Sequence, residues 1–320
     1  MPRTNKPRAG SLQYWPRKRA EKFLPSANWK ALEQANKDAR LLGIIGYKVG
    51  MTSVLVKDLT PASLGKDKKI TLPVTVLEFP AMKTFSVRFY KDNKVIGEIL
   101  AENLDKELKR VLKLPKSKTE KKFEDIKGYD NIRLIVYSET KQTGIKKTPD
   151  VAEIGLAGTL DEKINFAKDK MNKEISASEI FKPMQLIDVH GLTKGKGLVG
   201  PVKRFGISLK SHKSEKGVRR PGSLGPWHPN VVTFRVAMAG QLGMFSRVQY
   251  NGKIVSIGKI KEHNINPKQG WKNYGNIETE YALLSGSIPG PAKRQMLLTV
   301  PLRKTKFQDK KKYEFLKIVR

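Results

Sequence analysis

The chain has 320 residues, with 63 Lys and Arg against 30 Asp and Glu, a net charge of +33, and 38% hydrophobic residues. That is enough apolar material for a core spread over about two domains, which excludes a wholly disordered tail. The absence of Cys excludes disulfides and thiolate metal sites and fits a reducing compartment. No apolar run approaches the roughly 18 residues that span a bilayer, and the basic N-terminus lacks the apolar stretch of a secretory signal. The chain therefore reads as soluble and intracellular, with no membrane partner.

Residues 1–40 are rich in Pro, Arg and aromatics and read as an extended basic arm with a short helix near 28–39. Strands are expected at 41–48, 53–57, 74–79 and 84–90, all dense in β-branched and aromatic residues. Leu104, Leu108, Val111 and Leu112 recur at helical spacing and predict an amphipathic helix over 102–112. A short apolar run at 132–137 reads as a buried strand. Thr159 and Glu162 have capping-box spacing ahead of Ile164, Ala167 and Met171, and Ser176 and Glu179 repeat the signal, so helices should start at both places. This alternation marks 81–180 as an α/β unit. A strand over 183–189 leads into a long basic loop, 191–245. Strand character resumes at 246–258, where Asn251-Gly252 between alternating runs predicts a hairpin with a type I′ turn. A strand at 295–302 closes the series, and 303–320 reads as a basic tail. The fold class is mixed α/β, mainly β. Strands at 41–80 and 181–302 suggest a β-barrel interrupted by the 81–180 insertion.

Charge is unevenly spread. Residues 61–189 hold 25 basic and 20 acidic residues, whereas 189–261 hold 14 basic residues against Glu215 alone. Lysine runs are commonly solvated faces, and that accounts for the middle segment better than for its flanks. Long loops without secondary structure are usually functional or disordered. One this basic repels itself unless an extended polyanion threads it, and a nucleic-acid backbone is the natural candidate. Alone, 191–230 and 1–25 are expected to be disordered, because like charges and few apolar groups do not offset ordering entropy.

Catalytic signatures are weak. Gly195, Gly197 and Gly200 fit the dinucleotide pattern GxGxxG, but Pro201 follows, no amphipathic helix is expected there, and no acid lies about 20 residues on. The glycines then serve close approach of the backbone to a partner. His190, His212, His228 and His263 are scattered and form no zinc spacing. Asp161-Glu162 sits at a helix start, where the dipole accounts for it. No catalytic residue, metal site or cofactor is assigned, so the chain is not expected to be an enzyme. An RNA-modifying enzyme would need a cofactor pocket or an acid/base pair in 61–189. A DNA-compacting protein would need no aromatic loop tip.

The basic and aromatic pattern remains. Arg17-Lys18-Arg19, Lys203-Arg204 and Arg219-Arg220 offer clustered phosphate contacts, and Lys194, Lys196, Lys210, Lys213 and Lys216 add point charges. Arg3, Lys6 and Arg8 in the arm, with His228 and Arg235 in the loop and Arg247 just beyond it, complete the candidate RNA-binding set. Trp227 lies between Pro226 and Pro229 on a stiffened backbone, where an indole can stack on an unpaired base. The competing assignment is a core position, for which Gly222, Gly225, Pro226 and His228 are poor company.

The same residues carry a resemblance. GSLGPWHP followed by VTFRVAMAGQLGMFSRVQYN resembles the central loop of the large-subunit ribosomal protein three family, in its archaeal form. PRAGSLQYWPRKRA resembles that family's N-terminal arm and LLGIIGYKVGMT its first barrel strands. GLTKGKG from Gly191 and KRFG from Lys203 match the entry into the loop. The resemblance implies a six-stranded barrel of the translation-protein type with an α/β insertion. It implies a structural, primary rRNA-binding protein near the 3′ end of 23S rRNA that nucleates subunit assembly. Its loop would approach the peptidyl transferase centre. The partners implied are 23S rRNA and neighbouring proteins of the fourteen and archaeal/eukaryotic twenty-four types. The protein would work without a cofactor and not as a homo-oligomer, in the cytoplasm within the large ribosomal subunit.

Overall fold

The structure, a computed structural model, describes residues 9–36, 38, 40–61, 63–115, 123–213 and 216–319. The chain divides into two compact units, one made of Met1–Lys22 with Leu192–Ser246 and the other of Phe23–Gly191 with Arg247–Arg320.

The larger unit opens on helix α1, Trp29–Ala35, whose cap Asn28 accepts the Ala31 N–H. Strands β1 (Arg40–Leu41), β2 (Gly43–Asp58), β3 (Lys69–Phe79), β4 (Met82–Lys91) and β5 (Lys94–Leu100) follow. The two strands expected at 41–48 and 53–57 are largely one, because a bulge between Lys48 and Gly50, opposite Leu77 and Val76, absorbs the glycine without ending the strand. At Gly46 a Cβ would lie 2.6 Å from the Phe79 ring, so the ring packs directly on bare backbone. β6 (Asn131–Ser138) and β7 (Val151–Ala157) precede helix α2, Leu160–Lys170. α2 starts in the expected capping box, with Thr159 and Glu162 bonded reciprocally. β8 (Glu174–Ile175), the short helix α3 (Ala177–Ile180) and β9 (Leu186–Leu192) come next.

The smaller unit then contributes β10 (Leu198–Val199), α4 (Pro201–Phe205) and β11 (Gly240–Gln241). No helix was expected after Gly200. Pro201 starts one because a missing N–H costs nothing in the first turn, and Gly206 in the left-handed conformation ends it five residues later. β12 (Ser246–Lys259), β13 (Glu280–Ser285), β14 (Gln295–Thr299), α5 (Lys306–Lys310) and β15 (Tyr313–Val319) return to the larger unit.

Two curled, mainly antiparallel sheets build that unit. The first runs β14-β9-β12-β13-β3-β2-β15, and β14 also pairs with β2. β2 thus takes β14 along 43–47 and β15 along 53–58. Ile44, Ile45, Tyr47, Val76, Leu283 and Leu298 are buried within it. The second sheet runs β1-β7-β6-β4-β5, with β8 on β4. The strand–helix alternation read over 81–180 therefore closes into an antiparallel sheet carrying helices. The chain is mainly β with few helices.

Three further expectations differ from the structure. The helix expected over 102–112 is a single 3₁₀ turn, Lys106–Arg110. Its leucines still pack, with Leu108 fully buried. Asp105 does not cap the turn, because its carboxylate accepts from the Tyr137 hydroxyl at 2.7 Å and meets Lys83 at 3.5 Å. Asn251-Gly252 is not a hairpin but lies inside β12. There Asn251 takes positive φ, its N–H donates to Asp188, and its side chain accepts the Thr305 N–H. A two-residue turn with positive φ at both positions occurs at Asp92-Asn93, joining β4 to β5. Residues 303–320, expected as a tail, contain α5 and β15, because Tyr313 and Phe315, and Ile318 past a register shift, pack against the core.

Candidate nucleic-acid interface

The base of the basic loop is a two-stranded ribbon. Beyond the β10–β11 pairing, Lys196 N–H donates to Leu242 O, Leu242 N–H to Gly197 O, and Thr193 N–H to Phe245 O, at 2.9, 2.9 and 3.0 Å. Gly243 adopts φ +79°, and a Cβ there would sit 2.0 Å from the Lys194 carbonyl, so only glycine lets the two runs meet. The arm joins the same unit through Ala9 N–H to Phe205 O and Ala20 N–H to Met244 O, at 2.8 and 2.9 Å.

An arginine–aromatic stack fastens these pieces. The rings of Trp15 and Phe205 stack at 6.3 Å, and Phe234 lies 5.8 Å from Trp15. The Arg17 guanidinium sits 4.4 Å from the Phe205 ring centre and donates to Arg204 O at 3.2 Å. Arg204 lies 5.0 Å from the same ring and donates to the carbonyls of Gln241 and Met238, at 3.0 and 3.1 Å. Arg17 and Arg204, placed in the candidate set for phosphate contact, therefore hold the arm to the loop. This stack was not legible in sequence, because its members come from three separated segments.

The rest of the set divides by exposure. Lys18, Arg19, Lys194, Lys196, Lys203, Lys213, Lys216, Arg219, Arg220, His228 and Arg235 are exposed, while Lys210 and Arg247 are half-buried. Lys18 pairs loosely with Glu21 at 3.7 Å. Arg3, Lys6, Arg8 and Glu215 lie outside the described residues. Trp227 is 78% exposed and meets the ring of His228 edge-on, at 6.5 Å. It is not a core residue. Val231, Val232, Phe234 and Met238 are also exposed. The apolar run VVTFRVAM, which sequence reasoning passed over as loop, gives the interface apolar surface as well as charge.

The near-neutral segment behaves differently. Lys83 meets Asp105, Glu139 and Glu174, and Arg88 bonds Glu98 at 3.0 Å and meets Glu153 at 3.6 Å. These cations are matched by neighbouring carboxylates. Among the described residues no cluster of three or more His, Asp or Glu is arranged to hold a metal ion. No helix among them is long and apolar enough to cross a membrane.

Comparison with known proteins fits this geometry. Residues 1–318 match the family described as Ribosomal protein L3. The large ribosomal subunit protein uL3 of Methanobrevibacter smithii is 40% identical over 318 residues, covering 95% of this chain and 94% of that protein. The uL3 of Archaeoglobus fulgidus is 40% identical over 317 residues, covering 94% and 93%, and that of Methanocaldococcus jannaschii 37% over 313 residues, covering 93% and 92%. The chain belongs to the ribosomal protein L3 family and is a structural, non-enzymatic protein of the large ribosomal subunit.

Proposed function

We propose that this protein is a primary rRNA-binding component near the 3′ end of 23S rRNA, which nucleates subunit assembly and extends its central loop toward the peptidyl transferase centre. The observation that carries this is the gathering of exposed cations with an exposed Trp227 on one unit built from arm and loop. Phosphates suit the cations, and an unpaired base suits the indole. Neighbours of the protein fourteen and archaeal/eukaryotic twenty-four types, and action as a single copy, belong to the same proposal. So does a six-stranded translation-protein-type barrel over 41–80 and 181–302, supported by β14 pairing with both β9 and β2, with 81–180 as its insertion.

Salt-dependent binding to transcribed 23S rRNA tests the proposal. If about eight phosphates are contacted, log K against log salt should have a slope on the order of −6, at about −0.7 per contact. Replacing Arg219 and Arg220 together by Ala should flatten it by one to two units, roughly the value of two contacts. An unchanged slope places both side chains away from phosphate. Equal competition by duplex DNA would favour an architectural DNA-binding function instead.

A further inference from the structure

We propose a second RNA-backbone contact, outside the arm and loop, where the β2–β3 turn meets the C-terminal segment. It rests on the RNA-binding function proposed above and adds a site to it. Lys66, Lys68 and Lys69 are exposed on the turn and its exit. Arg303, Lys304, Lys306 and Lys310 are exposed on the segment leading to β15. These stretches are far apart in sequence and carry the same charge, yet the fold bonds the residues that flank them to one another. Leu59 N–H donates to Lys312 O at 2.9 Å, and Lys312 N–H donates to the Thr60 hydroxyl at 3.1 Å. From the core side Lys253, only 3% exposed, donates its ammonium to the carbonyls of Gln308 and Asp309, at 2.7 and 3.0 Å, and to that of Lys311.

A merely solvated lysine face needs no such clamp. Separate cationic segments held side by side raise the electrostatic energy of the free protein, and a polyanion lying across both relieves it. Asp309 on α5 and Glu314 on β15 are exposed among these cations and leave the segment in surplus, and the acids of the turn are already engaged. Asp58 is buried and accepts from Thr60 N–H and the Ser63 hydroxyl, and Asp67 is paired with Lys57 at 3.0 Å. Phe307, on α5, is 68% exposed with the Lys311 ammonium 4.5 Å over its ring. Cations around an exposed aromatic face are the combination that follows a nucleic-acid backbone and stacks a base. Lysine point charges suit a phosphate track better than the bidentate grip of single carboxylates.

The test uses the full chain and transcribed 23S rRNA. Lysines are acetylated with and without RNA and read by mass spectrometry. Lys66, Lys68, Lys304 and Lys306 should be protected severalfold, while Lys94, exposed at the start of β5, should not. The variant Lys304→Gln/Lys306→Gln/Lys310→Gln should flatten the salt slope by about two units, at roughly 0.7–0.9 per contact. That change should add to the effect of the Arg219/Arg220 variant. A wild type with no steep slope would sink the RNA-binding function itself. If wild type and loop variant behave as proposed but the triple variant keeps the full slope and its lysines stay reactive, only this second contact is overturned. Equal protection by polyglutamate at the same ionic strength would assign the patch to acidic polypeptides and also overturn it.

Discussion

His190 shows how one residue reports on the pairing of β9 with β14. It lies in β9 opposite Leu297 of β14, its Nε2 3.2 Å from the Thr299 hydroxyl. Burial pushes its pKa below the ordinary 6.5, and the charge of Asp188 only partly offsets this. The unfolded chain therefore takes up a proton that the folded chain resists. This contribution to stability is complete above pH 6.5 and is lost as pH falls through that value toward the lower folded pKa. The wild-type melting temperature should then drop more between pH 7.5 and 5.5 than that of His190→Gln. Equal drops in thermal melts would show that the ring is protonated within the fold at no cost. At this scale the sequence was uneven. Thr159 and Glu162 announced their capping box because both partners lie within one turn. Asn251 misled because its positive φ is stabilised by Asp188 and Thr305, which no local pattern reveals.

Among elements, the Trp15–Phe205–Phe234 stack with Arg17 and Arg204 holds the arm to the loop. Aromatic pairing contributes about 0.5–1.5 kcal/mol and a cation over a ring about 0.5–2 kcal/mol, so removing Trp15 should cost about 2 kcal/mol of local stability. Opening of the arm should become on the order of 30-fold more frequent. Trypsin should then cut Trp15→Ala faster at Arg17, Lys18 and Arg19, with cleavage at Lys168 in α2 unchanged. Unchanged cleavage at the arm would show that the backbone bonds of Ala9 and Ala20 suffice. Strands with β-branched runs were legible as elements. β5, β7 and β15 were not, because Lys, Glu or Gly interrupts each run, and β13 was not because its apolar stretch, Tyr281–Leu284, is only four residues long.

The charge map, the most legible feature of the whole molecule, separates a self-paired segment from one whose cations face outward. The protein is located in the large ribosomal subunit, in the cytoplasm, and on the function proposed above its outward cations serve RNA and not its own core. Trp227 tests that division. Being 78% exposed, it contributes little to folding, whereas stacking on a base is worth about 1–3 kcal/mol. Large subunits carrying Trp227→Ala should assemble nearly normally but show altered rRNA chemical reactivity around the loop and slower peptide-bond formation. A lower melting temperature for the isolated variant would instead make Trp227 part of the fold.

Strand β2 also has a consequence in time. A nascent chain emerges in order, and β2 is made long before β14 and β15, which cover its second edge. At about 5–20 residues per second, that edge waits on the order of tens of seconds. Until then Ile44 and Ile45 stand beside a row of unpaired backbone groups, the kind of edge on which other chains nucleate aggregates. The first long strand to leave the tunnel is thus among the last to be completed, and synthesis rate sets how long the newborn protein stays vulnerable.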